Sequence, residues 1–205
     1  MKFPQSQIIL TYTLLLALNW TVGCKQTEPV KARVPVNYFS MQVNGQLWTP
    51  YQDSTDPCNS TYSGNYSELQ YASGVVIPFY LFLAYRDPGG QTGVDSDNYL
   101  RIQAMNVTKP GLYLLDGTYK ENFDSYLTFN VKQVAGKSKR YVNNPNRRPF
   151  EINVEEITYR ENASIPSIKG SFEGVAYNEI DVFDSLIIEK GKFNFKYMGN
   201  YHCGF

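Results

Sequence analysis

Val36–Trp48 reads VNYFSMQVNGQLW, and the reading of this stretch decides the fold. Side chains alternate, with Phe39, Met41 and Val43 on one face, as a half-buried strand requires. Asn44-Gly45 follows, the pair best suited to a two-residue type I′ turn, because both central positions need positive φ. A two-residue loop sets Val43 opposite Gln46 and Met41 opposite Trp48, so Met41 and Trp48 share a core face.

The same period of two runs through the rest of the chain, and no stretch of useful length repeats every 3.6 residues. Residues 75–85, VVIPFYLFLAY, are apolar on both faces, which predicts a central strand covered on both sides or one crossing from sheet edge to core. Pro78 has no N–H to give a ladder and predicts a late strand start or a bulge. Further strands are expected over 99–107, 112–115 and 126–134, and a hairpin from 150–159 and 168–177. A last pair, 185–189 and 192–198, should turn at Lys190-Gly191. Residues 52–74, rich in Ser, Tyr, Asn and Gly, read as a long surface loop. Residues 86–97 and 135–149 also break the pattern. The expected fold is all-β and antiparallel, with about nine to eleven strands in a β-sandwich or partly open barrel.

The N-terminus reads as an address. Met1-Lys2 is a short positive segment, and the apolar run from Ile8 to Leu18 falls short of the ~20 residues of a membrane span. Thr21-Val22-Gly23-Cys24 resembles a bacterial lipobox, in which Cys24 carries the lipid. The expected organisation is a signal peptide over 1–23, a lipidated tether over 24–35 and a single β domain over 36–205. The chain is then held on a bacterial cell envelope, at the outer membrane, through lipid. Cys58 and Cys203 remain as an even pair in an oxidising compartment. A disulfide between them would close a loop of about 145 residues, worth roughly 4–5 kcal/mol in chain-entropy terms. The other reading of Cys203 is a thiol activated by His202.

Composition narrows the function. The 205 residues carry 19 basic and 19 acidic side chains, without the basic excess of a nucleic-acid binder. A lone histidine and three cysteines are too few for most zinc sites or His-based hydrolases, and no cofactor is expected. Asp95-Ser96-Asp97-Asn98 spaces oxygen ligands as a calcium loop does, without the later bidentate carboxylate, and reads as an exposed turn. Glu151, Glu155, Glu156 and Glu161 lie along one expected hairpin. The first two would stand about 13 Å apart on one face, too far for a glycosidase pair. Lys137, Lys139, Arg140, Arg147 and Arg148 form a basic cluster that suits phosphate, sulfated glycan or anionic headgroups. Tyrosine is abundant, at 17 residues against 12 Phe. Tyr51, Tyr62, Tyr66, Tyr71 and Tyr141 fall in expected loops or strand ends, where a ring with a polar tip suits sugar or protein contact.

The order of motifs resembles a family. The lipobox, Val43-Asn44-Gly45-Gln46-Leu47-Trp48, Pro110-Gly111-Leu112-Tyr113, Gly170-Ser171-Phe172 and the Ile187–Phe193 run are similar to those of small β-rich lipoproteins of Bacteroidota whose function is unassigned. The resemblance covers most of 36–198, implies fold and location, and brings no functional residues with it. Cys24 is followed by Lys25-Gln26-Thr27-Glu28, not by the acidic run of surface-exported members. The expected function is a non-catalytic binding or assembly module for glycan or a partner protein. Tyr62, Tyr66, Tyr141, Arg140, Arg147 and Arg148 are its candidate ligand contacts. A lipocalin-like carrier of an apolar molecule is the alternative, and a glycan hydrolase the third reading.

Overall fold

The structure is a computed structural model and describes residues 34–56, 59–86, 98–121, 123–132, 138–159, 165–198 and 203–204. Among these there is no helix. The strands in chain order are β1 (Val34–Pro35), β2 (Tyr38–Val43), β3 (Gln46–Trp48), β4 (Tyr62–Gln70), β5 (Val76–Tyr85), β6 (Tyr99–Met105) and β7 (Gly111–Leu115). They continue with β8 (Tyr126–Lys132), β9 (Ser138–Val142), β10 (Phe150–Thr158), β11 (Ser167–Asn178), β12 (Ser185–Phe195) and β13 (Cys203–Gly204). Eleven of them form one antiparallel sheet curled into a half-barrel, and β1 pairs with β13 separately.

The curl has two faces. One runs β7-β10-β11-β12-β2-β3, the other β9-β8-β6-β5-β4. They join because β11 is long: its first half pairs with β10, and its last residues, Tyr177 and Asn178, pair with Val142 and Tyr141 of β9. Rings fill the space between the faces. Phe82 of β5 lies 4.6 Å from Phe193 and 5.3 Å from Phe195 of β12, centroid to centroid. Trp48 of β3 meets Phe129 of β8 edge-on at 5.6 Å.

The first hairpin forms as its sequence demands. Asn44 and Gly45 have φ of 50° and 76°, and Met41 pairs with Trp48 and Val43 with Gln46. The hairpin of β10 and β11 is also as expected. Four expectations need correction. The expected loop over 52–74 contains β4, whose inner face is made of Tyr62, Gly64 and Tyr66; it lacks the aliphatic residues that mark a strand. Gly64 is needed there, since a Cβ would stand 2.6 Å from Cγ of Phe195. The segment after Ala135 contains β9, whose one core side chain is Tyr141.

Residues 185–195 are one strand, not two. Lys190-Gly191 is a bulge where the registers with β2 and β11 both shift, and Lys190 takes a φ of 53°. Finally, β5 is second from the edge and buries only one face, through Tyr80, Phe82 and Ala84. Its Pro78 lies inside the strand, beyond the last residue paired with β6. In an extended strand a residue's N–H and C=O point the same way. The Pro78 carbonyl accepts from Asn106 N–H at 2.7 Å, so the missing donor faces the turn that leaves β6.

Candidate binding surface at the β11–β12 loop

Residues 179–184 connect β11 to β12 and are braced on every side. Asn178 starts the turn, its Oδ1 accepting from the N–H groups of Ile180 (2.9 Å) and Asp181 (3.3 Å). Asp181 Oδ1 accepts from Phe183 N–H at 3.0 Å. The Asn178 N–H donates to the Asp184 carbonyl at 2.8 Å, and its Nδ2 to Asp184 Oδ2 at 3.0 Å. These are the short-range side-chain bonds that Asn and Asp make in turns.

Strand β9 supplies the second brace. Lys139 Nζ meets Asp184 Oδ2 at 2.7 Å, and the Tyr141 hydroxyl donates to the same carboxylate at 3.1 Å. Glu179 N–H donates to the Arg140 carbonyl at 2.9 Å, and Arg140 Nη1 lies 3.7 Å from Glu179 Oε2. Tyr119, from the segment after β7, donates to Glu179 and lies beneath the Arg140 guanidinium, 5.2 Å from Cζ to centroid. The Lys139 hydrogen bond, with help from Asn178 and Tyr141, holds the Asp184 carboxyl below its usual range. The same bond raises Lys139.

The braced loop presents what a soluble surface usually hides. Ile180 is 96% exposed and Phe183 87% exposed, with Val182 beside them. The Arg147 guanidinium lies over Phe183 at 5.7 Å and over Tyr177 at 5.3 Å. Ser138, Lys139, Arg140, Asn178, Glu179, Ile180, Asp181 and Asp184 bound an open hollow of about 440 Å³.

Of the candidate ligand contacts, the structure brings Arg140, Arg147 and Tyr141 to this loop; Arg148 is exposed in the neighbouring turn. Two tyrosines are not free to meet a ligand as expected. Tyr62 is buried between Phe39 and Phe195, with its hydroxyl donating to the Asn37 carbonyl at 2.7 Å. Tyr141 is buried too and acts as a brace, because Asp184 takes its hydroxyl. Tyr66 lies elsewhere, half-buried, edge-on to Tyr80 at 5.2 Å and bonded to Glu68 at 2.6 Å. Burial, joined by the Glu68 carboxylate, pushes its phenol above the ordinary range. Sequence reasoning missed Tyr119, Glu179, Asp184, Ile180 and Phe183. The available signal was a short Asn-to-Asp segment with apolar residues between two strands.

The carboxylates of β10 are not arranged as their spacing suggests. Glu155 sits at a register shift and pairs with Lys169 at 3.1 Å, while Glu151 stands directly across from Glu173 of β11. Glu151 and Glu173 edge a hollow of about 510 Å³ together with Lys190 and Lys192. Among the described residues no three of His, Cys, Asp or Glu gather as a metal site would require. Cys24, Cys58, Glu161, Lys137, His202 and the Asp95–Asp97 turn lie outside the described residues. The backbone of β13 places Cys203 beside Pro35.

Half-barrel and braced loop define an all-β domain with an exposed apolar tip. Over residues 36–196 the chain matches DUF5025, a domain of unknown function, and it belongs to that family. No curated protein and no solved structure matches it.

Proposed function

We propose that this chain is a cell-envelope lipoprotein, of the kind found in Bacteroidota, that acts as a non-catalytic binding or assembly module. Cys24 carries the lipid and roots the domain at the outer membrane. The glycan or partner protein is met by the 179–184 loop and the arginines around it. One observation carries the reading: among the described residues, the most exposed apolar side chains sit on a loop fixed by at least five hydrogen bonds. Exposing Ile and Phe to water costs about 1.5–3 kcal/mol each relative to burying them. A rigid loop that does so is pre-organised for an encounter, since little entropy is left to lose on binding.

The test is metabolic labelling with palmitate, followed by protease shaving of intact producing cells. The wild-type chain takes label and Cys24→Ala does not. A wild-type chain that takes no label overturns the anchor. Loss of signal on shaving, with a periplasmic control intact, assigns the outer face; protection assigns the inner one.

A further inference from the structure

We infer that strand β4 is a pairing edge, along which a second copy of this chain adds its own β4 antiparallel, Tyr66 of one copy facing Glu68 of the other. This assembly goes beyond the reading above and uses neither its loop nor its anchor.

The first observation is an open row of backbone groups. β4 ends the eleven-stranded sheet and pairs only with β5. Bonds beyond both ends of β4 fix which residues face which way. Tyr85 N–H donates to the Thr61 carbonyl at 2.8 Å, and Tyr71 N–H to the Val75 carbonyl at 2.9 Å. Antiparallel residues alternate between bonded and non-bonded pairs, so Ser63, Asn65, Ser67 and Leu69 bond to β5. The N–H and C=O groups of Gly64, Tyr66, Glu68 and Gln70 point the other way, where no described backbone meets them. Pro78 fits this phase: directly across from Glu68, it sits where β4 asks for no donor.

The second observation is that the edge is unguarded. Edge strands are ordinarily blunted by shortness, lysine, proline or a bulge. β4 has none of these: it runs nine residues, YSGNYSELQ, and keeps one register with β5 throughout. Ser67, Glu68 and Gln70 are exposed, so the edge is within reach. A row of alternating donors and acceptors at strand spacing is met in full by another extended strand, which a sugar or a lipid does not imitate.

The side chains decide which strand. A foreign peptide added to an edge takes its specificity from pockets for alternate side chains. β4 instead answers itself. With Ser67 on the two-fold axis, Tyr66 faces Glu68 of the second copy, Glu68 faces its Tyr66, and Gly64 faces its Gln70. Within one strand the Tyr66 hydroxyl already donates to Glu68 at 2.6 Å, and the same pair forms twice across the axis. Glu68 is the one charged side chain of β4, and in this register it never stands opposite its own copy, where like charges would weaken the ladder. A two-fold pair uses both open edges and so closes at two chains.

This register sets the Cα atoms of Ser67 and its copy about 4.5 Å apart, within the range of a disulfide. The experiment expresses Ser67→Cys in the full chain in producing cells under a mild oxidant. The wild-type chain and Lys192→Cys, exposed on β12, are the controls. The expected result is an adduct of twice the chain's mass from Ser67→Cys alone, in which mass spectrometry joins residue 67 to residue 67. Adding Glu68→Pro should abolish it, because proline removes an N–H that faces the second copy and spares the β4–β5 ladder. Matching far-ultraviolet circular dichroism of purified Glu68→Pro verifies its fold, and Glu68→Ala, which deletes only the acceptor across the axis, should lower the yield in the same direction. No adduct of double mass, a link from 67 to a different residue, an adduct with a different protein, or a yield that ignores both Glu68 variants overturns the inference.

Discussion

The Asn143 side chain hangs the Leu115 carbonyl of β7 from the other face of the half-barrel, its Nδ2 donating at 2.8 Å. Its Oδ1 accepts from Leu127 N–H at 2.8 Å, and Nδ2 also reaches the Gly117 carbonyl at 2.9 Å. One buried carboxamide thus extends the β8–β9 ladder and ties it to β7. Asn143→Leu keeps the volume and strands three backbone groups. The expected loss is about 2–4 kcal/mol, since each buried unsatisfied group costs ~1–3 kcal/mol and solvent reaches some of them. Urea unfolding should show a lower midpoint at unchanged slope; an unaltered midpoint would remove Asn143 from the framework.

Gly64 and Phe195 form a second such pair. Gly64→Ala should cost about 1–3 kcal/mol, because the new methyl meets the ring and β4 must move. Phe195→Leu costs stability through a cavity but frees that space. In a double-mutant cycle the two changes together should cost less than their separate costs added. Strict additivity would mean that strand and ring are not in contact.

The loop brace should respond to acid. Asp184 has a folded pKa below its unfolded value, so its contribution is fully present above the unfolded value, near 4, and is lost as pH falls through the folded one. Lys139, raised, contributes below its unfolded value, near 10.4, and loses that as pH rises. Between these limits the brace is intact. The protection factors of the Ile180 and Phe183 amides, taken against the intrinsic exchange rate at each pH, should fall below about pH 4, and Asp184→Asn should lower them at neutral pH as well.

Alkali offers a separate check on the core. Burial raises the phenols of Tyr80 and Tyr99, and neighbouring tyrosines add to it. A raised folded pKa means full stability below about 10 and a loss as pH climbs past it. Ultraviolet titration should therefore show these rings ionising late, together with unfolding, and Tyr99→Phe should move the alkaline transition upward.

The exposed tip predicts a contrast. Ile180→Asp and Phe183→Asp should change stability by no more than about 0.5–1 kcal/mol, the range of surface substitutions and of an exposed cation–π contact. Asp184→Ala, which touches the brace, should destabilise more. Thermal melts of the three variants side by side decide it.

Much of the framework was legible in the chain itself. The Asn44-Gly45 turn, the facing of Met41 and Trp48, the β10–β11 hairpin and the all-β class follow from local rules. A residue's φ preference and the period of its apolar neighbours act within a few positions. Strands carried by one or two aromatic residues escaped that reading. In β4 and β9 the inward side chains are Tyr and Gly, which mark a strand only when a facing ring, Phe195 or Phe129, is already in place. Lys190-Gly191 looks like a turn because positive φ suits turns and bulges alike, and only pairing with both β2 and β11 makes it a bulge. The binding surface is the extreme case. Lys139, Arg140 and Tyr141 stood out as a charged stretch, but their partners Glu179 and Asp184 lie about forty residues away and meet them only where β11 ends beside β9. Local chemistry determined the strands and the turns; which charges are neutralised, which rings are buried and which apolar side chains are left outside was decided by the curl of the sheet, because those depend on neighbours that the chain brings together only on folding.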